Sequence, residues 1–160
     1  MSLWRLEWMR LTRTKRWIAL VGVYLFFGLL GPLTARYLGE ILDLAGGDLE
    51  GATIELPPPV PADGMAQYVG NALQIGTLVA VVVAAGALAF DAIPEMGIFL
   101  RTRVSDMRTV LTPRFIVTVS AVVGSFVLGG LAAWYETWAL IGELGAGDVG
   151  AGLLLLSLIH

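Results

Sequence analysis

The chain has 160 residues, 57% of them hydrophobic and 14% charged, with a mean hydropathy of +0.80. A soluble domain carries about 45–50% apolar and about 25% charged residues, so this composition points to lipid as the solvent and to an all-α, polytopic membrane helix bundle. The net charge of −3 excludes a nucleic-acid footprint, the absence of cysteine excludes disulfides and thiol chemistry, and a single histidine at position 160 leaves no His or Cys metal site.

Residues 1–16 come first. Leu3, Trp4, Trp8 and Leu11 fall within one arc at helical spacing, and Arg5, Arg10, Arg13 and Arg16 fall on the opposite arc. A helix of this kind lies in the membrane surface, its Trp/Leu face in the headgroup boundary and its arginines toward anionic lipid. Trp4, Arg5, Trp8, Arg10, Arg13 and Arg16 are therefore the candidate lipid-interface residues. Glu7 and Lys15 break the pattern by pointing toward the apolar arc. The plainer reading of this segment is a basic leader that only sets topology.

The first apolar run, Trp17 to Thr34, is uncharged and reaches about 27 Å at about 1.5 Å per residue, close to the hydrocarbon thickness. Gly31-Pro32 near its end is tolerated in a membrane helix as a kink, and helix is expected to continue to about residue 44, with Arg36, Glu40 and Asp43 on one face. A basic stretch before an apolar run is also the pattern of a signal peptide. The run is too long for that, and no A-x-A site follows it, so an uncleaved span is expected. Residues 46–66 read as a Gly- and Pro-rich outer connector, with PPPVP extended.

The second span covers about residues 68–90 and the third about 113–136. The cores of both, Ala72 to Phe90 and Phe115 to Tyr135, are uncharged. Small residues recur every fourth position in each: Ala72, Gly76, Ala80 and Ala84, then Ala121, Ser125, Gly129 and Ala133. Such stripes let helix backbones approach closely, either as a pore wall or dimer seam or as ordinary packing within one subunit. Asn71, Gln74 and Thr77 either line a passage or bond a neighbouring helix. Trp17, Trp134, Tyr135 and Trp138 sit where interfacial anchors belong. A fourth apolar run, Gly150 to Ile159, is about half the length of a span.

Charge sets the orientation. Arg5, Arg10, Arg13, Lys15 and Arg16 precede the first span, and Arg101, Arg103, Arg108 and Arg114 separate the second from the third, leaving only Arg36 elsewhere. The connections 46–66 and 136–149 carry acidic residues and no basic one. The positive-inside rule then places the N-terminus and residues 91–114 in the cytoplasm. No ionisable residue lies within the three uncharged runs, which disfavours an ion-coupled transporter. No phosphate loop, H-E-x-x-H or intramembrane Ser/His pair is present. Neither a catalytic site nor a cofactor in this chain is therefore expected.

Segment 91–114 holds the densest polar chemistry. Pro94-Glu95 suits a helix start, and a short helix here would lie against the membrane or dock on a cytoplasmic partner. Composition alone favours a solvated loop with topogenic arginines. The segment resembles a stretch of bacterial ABC-2-type transporter permeases, E-x-G-T-x-x-x-L-x-x-P-V-S-R-x-x-I-L-x-x-K. Glu95 and Gly97 match its opening, Val104-Ser105 and Val110-Leu111 its middle, and Arg114 its basic residue at the third span. The gap is a few residues short, Arg103 replaces the family's Pro, and Asp106 replaces its Arg. The layout of surface elbow helix, span, outer loop and span is similar too.

The resemblance implies a permease subunit of an ATP-driven exporter in the bacterial inner membrane. It implies a second permease copy, homo- or heterodimeric, and separate cytoplasmic ATPase subunits carrying ATP and Mg. The coupling contact would fall on Glu95, Gly97, Arg101, Arg103, Ser105, Asp106 and Arg108. Family members have six spans, so the resemblance also implies that this sequence is truncated within the fourth. The alternative is a non-transporting anchor or assembly protein that binds lipid or a partner through its basic segments.

Overall fold

The computed structural model describes residues 2–45, 57–89, 97–98, 102 and 106–143. Their architecture is all-helical. Helix α1 is Leu3–Arg13, α2 is Arg16–Ala45, α3 is Pro61–Leu88 with a π-helical turn at Ala72–Gly76, and α4 is Arg108–Leu140. Helices α2, α3 and α4 are each long and apolar enough to cross a membrane. The Gly150–Ile159 run lies outside the described residues.

The three long helices alternate in direction. The start of α2 meets the end of α3 where Arg16 lies against Gly86, and the start of α4 reaches α1 at the same end. At the other end Gly64 of α3 meets Pro32 of α2 and Thr137 of α4. One end of the bundle is therefore basic, with α1 attached to it.

Several boundaries follow from local chemistry. Helix α3 begins at Pro61, seven residues before the expected start, so the last part of the expected outer connector is helical. Proline suits the first helical turn because it has no N–H to leave unsatisfied. The Asp63 carboxylate accepts the Val60 N–H at 2.9 Å and fixes the chain where it enters the helix. At the head of α4, the Asp106 carboxylate accepts the Arg108 N–H at 3.0 Å, and the helix starts five residues before the expected span. Within α2, Pro32 has no N–H to donate. The helix continues past it, and the Thr34 hydroxyl donates to the carbonyls of Leu30 and Gly31 at 2.9 and 2.8 Å, polar support of the kind that lets a membrane helix tolerate proline.

The packing is inverted relative to a soluble protein. Phe26, Leu78, Val81, Val82 and Phe115 face outward, whereas Tyr24, Tyr68, Thr118, Ser125 and Thr137 are buried. Lipid is as apolar as leucine, so helix association depends on close fit and internal hydrogen bonds. The fit comes from glycine. A Cβ on Gly28 would collide with the Gly129 carbonyl, and one on Gly129 with the Tyr24 carbonyl, so α2 and α4 meet backbone to backbone. A Cβ on Gly76 would sit 2.6 Å from the Tyr24 ring, which places that ring beside the π turn. Tyr68 donates its hydroxyl to the Phe126 carbonyl at 2.5 Å, and Tyr24 meets the Phe126 ring edge-on at 5.9 Å.

The small-residue stripes thus have a definite use. Ala72, Gly76 and Ala80 of α3, and Ser125, Gly129 and Ala133 of α4, are buried inside this one chain. They serve intrachain packing, and the pore-wall or dimer-seam reading does not apply to these positions. Gln74 is exposed and Asn71 half-buried. Thr77 bonds within its own helix, donating to the Ala72 carbonyl at 3.4 Å.

Candidate functional site at the basic end

Four helices converge at the basic end. Glu7 of α1 and Arg114 of α4, 107 residues apart, form a buried ion pair. Arg114 donates from Nε at 3.2 Å and from an Nη at 3.1 Å, both to Glu7 Oε1, and each residue is 8% exposed. The Arg114 carbonyl accepts the Thr118 hydroxyl at 2.8 Å. Leu11, one turn beyond Glu7, is buried on the same face of α1. The charge that breaks the apolar arc of residues 2–16 is therefore the residue that docks this helix.

Docking through Glu7 rotates α1 relative to a simple two-faced surface helix. Trp4 and Trp8 flank the docked face and remain about half exposed, as do Leu3 and Leu6. Arg5 and Arg13 are exposed, whereas Arg10 and Arg16 are half-buried. The two pairs of arginines are thus not equivalent, although the helical spacing treats them alike. Arg10, Arg16 and Arg114 line a small cleft together with Glu7, Leu11, Thr14, Ala87 and Thr118. Burial lowers the Arg10 pKa from its ordinary value, the neighbouring Arg114 and Arg16 lower it further, and Glu7 opposes them.

Of the expected coupling residues, Glu95, Arg101, Arg103 and Ser105 lie outside the described residues. Gly97 is helical and half-buried, Asp106 is exposed and caps α4, and Arg108 is exposed in its first turn. Among the expected interfacial aromatics, Trp17, Tyr135 and Trp138 are exposed, with Tyr135 and Trp138 rings 6.3 Å apart. Trp134 instead packs against the core. No group of acidic or histidine side chains that could hold a metal occurs among the described residues.

Sequence reasoning missed the partnership of Glu7 with Arg114. The available signal was a carboxylate on the apolar side of a short helix, since a charge is rarely left buried without an opposite charge. It missed Tyr24, Tyr68 and Phe126 as the bundle's central cluster because an apolar run does not reveal which of its faces is internal. No family model, curated protein or solved structure matches the chain.

Proposed function

We propose that this chain is a membrane-spanning permease subunit of an ATP-driven exporter, with ATP and Mg bound and hydrolysed on a separate cytoplasmic subunit. In this reading the basic end faces the cytoplasm of a bacterium, in agreement with the placement of its arginines. The observation that carries the reading is the position of Arg114. It closes the segment that resembles ABC-2-type permeases, and it sits in the buried junction with α1, beside Arg16 of α2 and Ala87 of α3. A partner pressing on residues 95–108 would act directly on that junction. The backbone contact between Gly28 and Gly129 leaves no room for a solute there, so a conduit would run between this unit and a second permease copy.

The test is co-purification of the chain with its candidate ATPase from membranes. Glu95→Ala, or replacement of residues 98–108, should abolish association while the chain remains inserted. Equal recovery of the ATPase with the altered segment would refute the coupling assignment. The alternative, a non-transporting anchor, is favoured by the half-exposed Trp4 and Trp8 on a docked surface helix. That reading predicts no stimulated ATPase activity in the reconstituted pair.

A further inference from the structure

Among the described residues, the basic end carries more positive charge than the Glu7–Arg114 pair uses. Arg10 of α1, Arg16 of α2 and Arg114 of α4 line one cleft, and among the described residues that line it Glu7 is the one carboxylate. The Arg16 guanidinium is held in a defined pose. A Cβ on Gly86 would lie 3.6 Å from its Cζ and from both Nη atoms. Three equal distances place the face of the planar group against Gly86, at the lining of the cleft. Arg10 approaches from α1, one helical turn from Glu7. The two hydroxyls in the cleft are satisfied locally, Thr14 donating to the Arg10 carbonyl and Thr118 to the Arg114 carbonyl, both at 2.8 Å. They do not supply negative charge.

Holding like charges together and partly out of water is unfavourable, and an anion placed between them relieves it. Guanidinium groups match phosphate oxygens through paired N–H donors. The cleft encloses about 20 Å³, space for one or two ligand oxygens rather than a whole solute. A lipid phosphate needs no more than that, because its remaining bulk stays in the membrane. The same two helices carry surface suited to acyl chains: Trp4 and Trp8 of α1 and Trp17 and Ile18 of α2 are all exposed and apolar.

We propose that the cleft between Arg10, Arg16 and the Glu7–Arg114 pair binds the phosphate of an anionic membrane lipid, with the acyl chains lying against the Trp face of α1 and the start of α2. The bound lipid cements the junction of α1, α2 and α4. This site does not depend on the exporter reading, since it requires only that the basic end meet an anionic leaflet.

The 160-residue chain, purified and placed in phosphatidylcholine nanodiscs with graded phosphatidylglycerol, tests the site by native mass spectrometry of retained lipid. The wild type should retain phosphatidylglycerol in preference to phosphatidylcholine, whose choline cancels the charge. Arg10→Gln and Arg16→Gln should each weaken retention roughly tenfold or more, as expected for a lost charge-assisted hydrogen bond. Arg10→Lys should recover part of it. Arg5→Gln and Arg13→Gln, which alter exposed arginines outside the cleft, should cost less than about fivefold, the scale of diffuse attraction to an anionic surface. Helical content by circular dichroism checks that each variant is folded. Equal losses at all four arginines would overturn the proposal in favour of a featureless basic surface. Displacement of the lipid by millimolar inorganic phosphate would overturn it in favour of a free-anion site.

Discussion

Removing the Glu7 carboxylate should release α1 from the bundle. Glu7→Ala leaves the Arg114 guanidinium in a site where the intact side chains are 10% and 9% exposed. Truncating one partner of a buried ion pair costs about 3–5 kcal/mol. At about 1.4 kcal/mol per decade, this shifts the docked-to-undocked ratio of α1 by roughly two to three and a half decades. Replacing both partners with apolar residues, Glu7→Leu with Arg114→Met, should recover most of the loss, because desolvating the pair offsets much of its attraction. The native sequence has no cysteine, so Thr12→Cys on α1 and Val119→Cys on α4 provide unique spin-label sites; both positions are exposed. Double electron–electron resonance in nanodiscs should give one narrow distance distribution for the wild type and a broad, longer one for Glu7→Ala. The double apolar variant should narrow it again. An unchanged distribution in Glu7→Ala would refute the reasoning, since α1 would then be held by something other than the pair.

Other consequences concern the bundle itself. Gly28→Leu and Gly129→Val should separate α2 from α4 and lower the thermal midpoint in detergent by the equivalent of about 1–3 kcal/mol or more, as overpacking does. Gly22→Ala and Gly124→Ala meet nothing within 4 Å and should leave the midpoint unchanged or slightly raised. Tyr68→Phe keeps the ring against Phe126, 5.7 Å between centroids, and loses only the hydroxyl bond. It should cost about 0.5–1.5 kcal/mol in the same unfolding measurement. Asp63→Ala removes the acceptor for the Val60 N–H; amide hydrogen exchange should rise at residues 60–64 while the midsection of α3 stays protected.

The helices were readable because each rests on a local property. An uncharged run of sufficient length must satisfy its backbone internally, and a helix does so whatever surrounds it. The runs beginning at Trp17, Ala72 and Phe115 therefore start within helices long enough to cross a membrane. Boundaries were less readable where short-range chemistry extended a helix beyond its apolar run. Pro61 with Asp63 did so for α3, and Asp106 with Arg108 did so for α4. A period of four in small residues of the second and third spans announced close approach, and glycine at 76 and 129 fulfilled it, but the partner surface, Gly28 of α2 among it, was not encoded in the period.

The amphipathic N-terminal segment shows most directly where sequence stops and tertiary structure begins. From the sequence alone come its composition, its helical spacing and the concentration of basic residues at one end of the bundle. Each depends only on neighbours along the chain. Only the folded bundle distinguishes Arg10 and Arg16, half-buried in a cleft, from Arg5 and Arg13 in the open. It likewise turns Glu7 from a flaw in an apolar arc into half of a buried pair with Arg114. The reason is that a charge's burial and partner are set by which helix packs beside it. That pairing joins residues more than a hundred positions apart, beyond the reach of any local pattern.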